Sequence, residues 1–318
     1  MRFNDNAGLD VSQVEDRRGG GGGGGIGLGG GLAAGGGGLG LVGLLVIVLM
    51  NVFGGSGGGP DLGQATSGSG YFQQAGAGGG TGTFDDSQLQ SECRTGADAN
   101  TNDDCAVVAI INSVQAFWSQ QLARSGTTYT ESDTVFFAGS TPTGCGTGQT
   151  GMGPFYCPSD RKVYIDLSFW DTLRSQFGAD AGPFTQAYVL AHEYGHHVQD
   201  LLGTNSRVGT ATGPTSGSVR LELQADCYAG VWANHASTTA GPDGQVLIQD
   251  ITQQDLANAV ATAGKIGDDY IQTHLGSGST DPSSYTHGTS AQRQKWFQQG
   301  YTTGNPASCN TFDTSNLG

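Results

Sequence analysis

The chain has 318 residues, enough for one or two domains and a sizeable core. Asp and Glu total 28 against 13 Lys and Arg, a net charge of −15. That balance excludes nucleic acid, which needs a basic stripe to neutralise phosphates, and excludes a polybasic binder of membrane surfaces. Of the 57 glycines, 30 fall in the first 80 residues, and from residue 81 onward the composition is that of an acidic globular domain.

Residues 1–25 are polar and end in Glu15-Asp16-Arg17-Arg18 followed by seven glycines. They offer too little apolar area to offset ordering entropy, which predicts a disordered tail. Residues 26–53 carry no charge. Leu32 to Phe53 would rise about 33 Å as a helix, enough to cross a hydrocarbon core. A Gly-rich transmembrane helix over 26–53 is therefore expected; a cleaved signal peptide competes, though "MNVFGGSGGG" matches a cleavage site poorly. Arg2, Arg17 and Arg18 precede the span and the next basic residue is Arg94. This asymmetry puts the N-terminus in the cytoplasm and the bulk of a single-pass protein outside. Residues 54–82 form a Gly/Ser-rich linker with a reach of about 30 Å, and residues 83–318 form the extracytoplasmic domain.

All six cysteines, Cys93, Cys105, Cys145, Cys157, Cys227 and Cys309, follow the span. An even count on the outer side points to disulfides, with free buried thiols as the alternative. Proximity favours Cys93–Cys105 and Cys145–Cys157, leaving Cys227–Cys309. Residues 104–122 put Val107, Val108, Ile111, Val114, Phe117, Trp118 and Leu122 at helical spacing, with Asp103 or Asp104 as cap. Short apolar runs at 134–137, 155–157 and 162–166 predict a small antiparallel sheet. Helices are expected over 167–177, 185–202 and 218–235, then from the Thr252-x-x-Asp255 capping box, and from Ser290. The class is α+β, mainly helical with a small sheet.

The helix over 185–202 carries His192-Glu193-Tyr194-Gly195-His196-His197. Histidines four apart differ by about 40° around a helix, so both imidazoles can reach one zinc ion. Glu193 lies about 100° round, placed to take a proton from a water and deliver it to a leaving amine. At this chain's own His and Glu frequencies, chance H-E-x-x-H occurs in roughly 0.2 % of such chains. A catalytic zinc wants a third protein ligand. The next Glu is Glu222, which shares a helix face with Asp226. Glu222 would ligate, with Asp200 as the alternative, and Asp226 would fix the tautomer of a ligating His.

H-E-x-x-H followed by E-x-x-x-D resembles the gluzincin metallopeptidases. The whole chain is similar to the bacterial neutral zinc metallopeptidase family, through "VEDRRG", "GPFYCPSDRKVYIDLSFW", "AYVLAHEYGHHVQ", "LELQADCYAG", "KIGDDYIQ" and "HGTSAQRQKWFQQGY". The resemblance implies a zincin-like peptidase domain behind one membrane span, with one Zn2+ per chain. Prenyl-processing proteases have a His and an Arg beyond their metal motifs. By that analogy His287 donates to the oxyanion and Arg293 holds Asp226 or Glu222, with Tyr194, Tyr228 and Tyr285 as rival donors. His197 is read as structural or groove-lining, His235 and His274 as surface residues. Asp268 and Asp269 belong to the family pattern with no evident role. Gluzincin-type sites bind substrate along a sheet edge, here expected at Phe155–Cys157.

The function expected is a membrane-anchored zinc endopeptidase of protein or peptide substrates, attached to the lipid bilayer by its span. Two other classes stay open: an inactive zinc-binding envelope protein that holds peptides or partners, and a zinc hydrolase of a non-peptide amide.

Overall fold

A computed structural model describes residues 1–18 and 86–318. Elements run in the order β1 (Arg2–Phe3), β2 (Val14–Asp16), α1 (Ser87–Glu92), α2 (Gly96–Ala99), α3 (Asp103–Arg124), β3 (Thr134–Phe137), β4 (Ser140–Thr143), β5 (Gly146–Gln149), β6 (Phe155–Cys157) and β7 (Lys162–Asp166). The remainder is α4 (Phe169–Ser175), α5 (Pro183–Leu201), α6 (Gly217–His235), β8 (Ile248–Gln249), α7 (Gln253–Lys265), α8 (Asp268–His274) and α9 (Ser290–Thr303).

The long helix α3 is capped not by Asp103 or Asp104 but one residue earlier: Asn102 accepts from the N–H groups of Asp104 and Cys105. All seven apolar positions named on α3 are buried, where α3 packs against α5 and α6. Helix α5 has Pro183 at its first turn and is buried on most sides, sandwiched between the other helices and the sheet. Pro at that position loses no helix hydrogen bond. The expected single helix after Thr252 breaks at Gly267 into α7 and α8, where the Asp268 N–H bonds Gly288 O instead of continuing the helix.

The main sheet is mixed, with order β2-β3-β7-β6. Val14 pairs with Thr134 and Thr134 with Val163, both in parallel; only β6 runs antiparallel, Phe155 opposite Tyr164. The antiparallel expectation is corrected on this point. Between β3 and β7 the chain makes the β4–β5 hairpin and β6, an excursion that returns it to re-enter in the same direction. β6 is an edge strand, as expected.

Residues 1–18 are not a disordered tail. Phe3, Ala7, Val11 and Val14 are buried in the same core as α3, β1 pairs with β8 and β2 with β3. The domain therefore comprises residues 1–18 together with 86–318, rather than beginning near residue 83. Among the described residues no helix is long and apolar enough to cross a membrane. The expected span 26–53 and linker 54–82 lie outside the described residues.

The cysteines pair as proximity suggested. Cys93–Cys105 ties α1 to α3, Cys145–Cys157 ties the β4–β5 turn to β6, and Cys227–Cys309 anchors the C-terminal segment to α6.

Candidate metal centre

The centre forms where α5 crosses α6. Gly195 makes the crossing close: a Cβ there would lie 3.1 Å from the Cα and carbonyl oxygen of Ala225. The approach lets Glu222 reach both histidines, with His192 Nε2 3.1 Å from Oε2 and His196 Nε2 3.4 Å from Oε1. One ligand atom from each of His192, His196 and Glu222 lies within 4.8 Å of the others. Two imidazole nitrogens and a carboxylate, converging in a nearly buried place, suit Zn2+ with a fourth position for water.

Both imidazoles are aimed from behind. His192 Nδ1 donates to Asp226 Oδ1 at 2.9 Å, and His196 Nδ1 donates to Gln199 Oε1 at 2.8 Å. Gln199 is fixed in turn by donating to Leu221 O and Gln224 Oε1. Each Nε2 is thereby left for a metal, the tautomer that outer hydrogen bonds are known to select.

Asp226 is fully buried and accepts from His192, from Tyr188 Oη at 2.7 Å and twice from Arg293. Burial pushes its pKa up, but the Arg293 and His192 charges outweigh this and hold it below the usual carboxylate range. Arg293 arrives on α9 because α9 and α6 nearly touch. A side chain at Gly300 would run into the carbonyl oxygen of Cys227. Of the two partners expected for Arg293, its hydrogen bonds go to Asp226.

Burial also works against a charge on His192, yet the Asp226 and Glu222 carboxylates push its pKa up to about 10. For Glu222, burial is outweighed by the facing His196 and by hydrogen bonds from both histidines, leaving it well below the usual range. The metal-free centre thus stores a proton on His192, which a metal must displace. Glu193 is buried beside these groups. Its pKa is raised, first by burial and further by Glu222, against the histidines and a hydrogen bond from the Tyr156 N–H of β6.

His287 is buried within electrostatic reach of Glu222 but does not belong to the ligand cluster. The Asp268 carboxylate explains its placement. Asp268 Oδ2 accepts from the N–H groups of Thr286, His287 and Gly288 at 2.8–2.9 Å, and Oδ1 faces His287 Nδ1 at 3.2 Å. Burial lowers the His287 pKa, but Asp268 and Glu222 raise it more. Asp269 bonds the N–H and hydroxyl of Ser290, fixing the start of α9.

Asp200 is held by Tyr156 Oη, Arg161 and Asn205, outside the cluster. Tyr194 Oη bonds Thr134 and Ser132 O between helix and sheet, and Tyr228 packs edge-on against Trp118. His197 is structural as expected, between Tyr156 Oη and Thr130 O. His235, expected at the surface, is half-buried, stacked on Phe117 and bonded to Gly304 O; His274 is exposed. Sequence reasoning missed Tyr188, Gln199 and the N–H of Tyr156. Gln199 alone left a signal, three residues after His196.

The helix crossing, the cluster of His192, His196 and Glu222 and the buried Asp226 carboxylate behind it form a group able to hold a metal ion. The chain belongs to the family described as "Putative neutral zinc metallopeptidase", whose model matches residues 1–312. The uncharacterized protein Rv2575 of Mycobacterium tuberculosis is 48 % identical over 230 residues, covering 72 % of this chain and 77 % of the relative. The uncharacterized protein YpfJ of Escherichia coli K12 is 46 % identical over 212 residues, covering 65 % and 70 %. No solved structure matches the chain.

Proposed function

We propose that the chain is a zinc-dependent endopeptidase. The observation that carries this reading is the convergence of His192, His196 and Glu222 on one point, with Glu193 alongside and the edge strand β6 against it. A zinc ion held by those three residues supplies Lewis acidity toward a carbonyl oxygen and lowers the pKa of water.

The chain's own groups do the rest. Glu193 takes a proton from the attacking water and returns it to the leaving amine, a double role suited to a carboxylate whose pKa burial has raised. The Tyr156 N–H keeps that carboxylate turned toward β6. An extended peptide adds along the β6 edge, so a protein or peptide segment is the substrate. His287, with Nδ1 engaged by Asp268, donates from Nε2 to the developing oxyanion. Asp226 and Arg293 hold His192 in its ligating tautomer.

The test is Glu193→Gln. Zinc content should stay at about one per chain while hydrolysis of an unfolded protein falls about 10²- to 10⁴-fold; full activity would refute the mechanism. Tight peptide binding without cleavage by the wild type would favour the inactive envelope protein. Cleavage of a cell-wall amide but not of peptides would favour the other hydrolase.

A further inference from the structure

Residues 1–18 lie on the rest of the body as a bound peptide would. Two asparagine side chains each clamp the main chain of one residue. Asn100 Oδ1 accepts the Phe3 N–H and its Nδ2 donates to Phe3 O, both at 2.9 Å. Asn112, buried on α3, accepts the Asp10 N–H at 2.8 Å and donates to Asp10 O at 2.9 Å. Between the clamps Gly96 N–H donates to Ala7 O, and Leu9 N–H to Arg94 O. Beyond them β2 extends the sheet beside β3. Main-chain hydrogen bonds supply affinity, as in strand addition, and the buried side chains of Phe3, Ala7, Val11 and Val14 supply specificity.

The basic residues that suggested a cytoplasmic end are engaged on this body. Arg17 pairs with Glu15 and donates to Thr141 and Pro142 O, and Arg18 pairs with Asp16 and Asp104. Lys162 of β7 reaches Glu15 at 2.8 Å. The two ends of the intervening chain also meet, for the Asp16 N–H donates to Asp86 Oδ1 at 2.8 Å.

We infer that this surface is a recognition site for the chain's own residues 1–18, and that docking holds both ends of residues 19–85 on one face, so that residues 1–18 and 86–318 share one side of any bilayer the chain meets. A connection whose ends are hydrogen-bonded neighbours crosses a bilayer an even number of times or not at all. As a helix, the 28 uncharged residues 26–53 would rise about 42 Å, enough for one crossing and short of the ~40 residues two need. The inference is independent of zinc and of catalysis.

Two measurements on the full chain test it. Ser12→Cys and Ser277→Cys each place a thiol at an exposed site, one in the docked segment and one on the main body; the native cysteines are all disulfide-bonded. A membrane-impermeant maleimide should label both variants in the same preparation, right-side-out or inverted vesicles. Labelling of the two in opposite preparations overturns the inference. In the wild type, the amides of Phe3, Leu9, Asp10 and Arg17 should exchange hydrogen far more slowly than a free peptide, and exchange at free-peptide rates overturns the docking. Asn112→Ala should speed exchange at Asp10 about tenfold, the loss of one net hydrogen bond; an unchanged Asp10 amide overturns the clamp.

Discussion

Arg293 grips Asp226 through two parallel hydrogen bonds, Nε to Oδ2 and Nη2 to Oδ1, each 2.9 Å. The fork matches the carboxylate, and neither group is exposed. Asp226 in turn accepts from His192, so a residue on the last long helix governs how His192 on α5 is oriented.

Removing either partner tests support of His192 and stability together. Asp226→Asn should weaken zinc binding about 10- to 100-fold, as loss of an outer-shell partner does, and should also lower stability, because it leaves the Arg293 guanidinium buried without its carboxylate; competition with a chelating dye would measure the first effect. Arg293→Ala leaves a buried carboxylate unpaired, and the expected cost is about 3–5 kcal/mol in denaturant unfolding.

Zinc stoichiometry tests the ligand set directly. The wild-type chain should bind about one zinc per chain, and His192→Ala and Glu222→Gln should each lose or greatly weaken it. Elemental analysis after dialysis gives the answer. Asp200→Asn should leave it unchanged, since Asp200 is tied to Tyr156 and Arg161.

The proton on His192 sets the pH dependence. Its folded pKa, about 10, lies above the unfolded value near 6.5. Its stabilisation of the metal-free protein is therefore complete below about pH 6.5 and is lost as pH rises through about 10. Apo melting temperature should fall across that window. Zinc must expel this proton, so binding at pH 7 should release it and affinity should rise with pH. Calorimetry in buffers of different ionisation enthalpy counts the protons.

Gly195→Ala should push α5 from α6 by a few tenths of an ångström, because its Cβ would meet Ala225 backbone. A cost of about 1–3 kcal/mol is expected. Zinc affinity should fall as well, because the ligands sit on both helices. Chemical denaturation and a zinc titration on one sample would show both losses.

Asp268→Asn keeps the size of the side chain but removes the charge beside His287. The 286–288 loop should loosen, seen as faster amide exchange at Thr286 and Gly288, while zinc content stays the same. A loss of zinc would place His287 among the ligands.

The sequence by itself determined what depends on local spacing. Helical periodicity placed α3, α5 and α6, put His192 and His196 on one face and paired Glu222 with Asp226, because residues four apart share a helix face wherever the helix goes. Chain proximity likewise anticipated the disulfides. Tertiary structure decided whatever depends on distant partners. Strand direction in the main sheet follows from how the chain returns to it, and apolar runs carry no mark of that. Gln199, Tyr188 and Asp268 gained roles only when remote groups arrived beside them. The same holds for Arg17 and Arg18: counted along the chain they are a short run of positive charge, and only the fold brings Arg18 to Asp104 and lays β2 against β3. A charge's meaning depends on what folding brings within hydrogen-bond reach, and a linear pattern does not contain that distance.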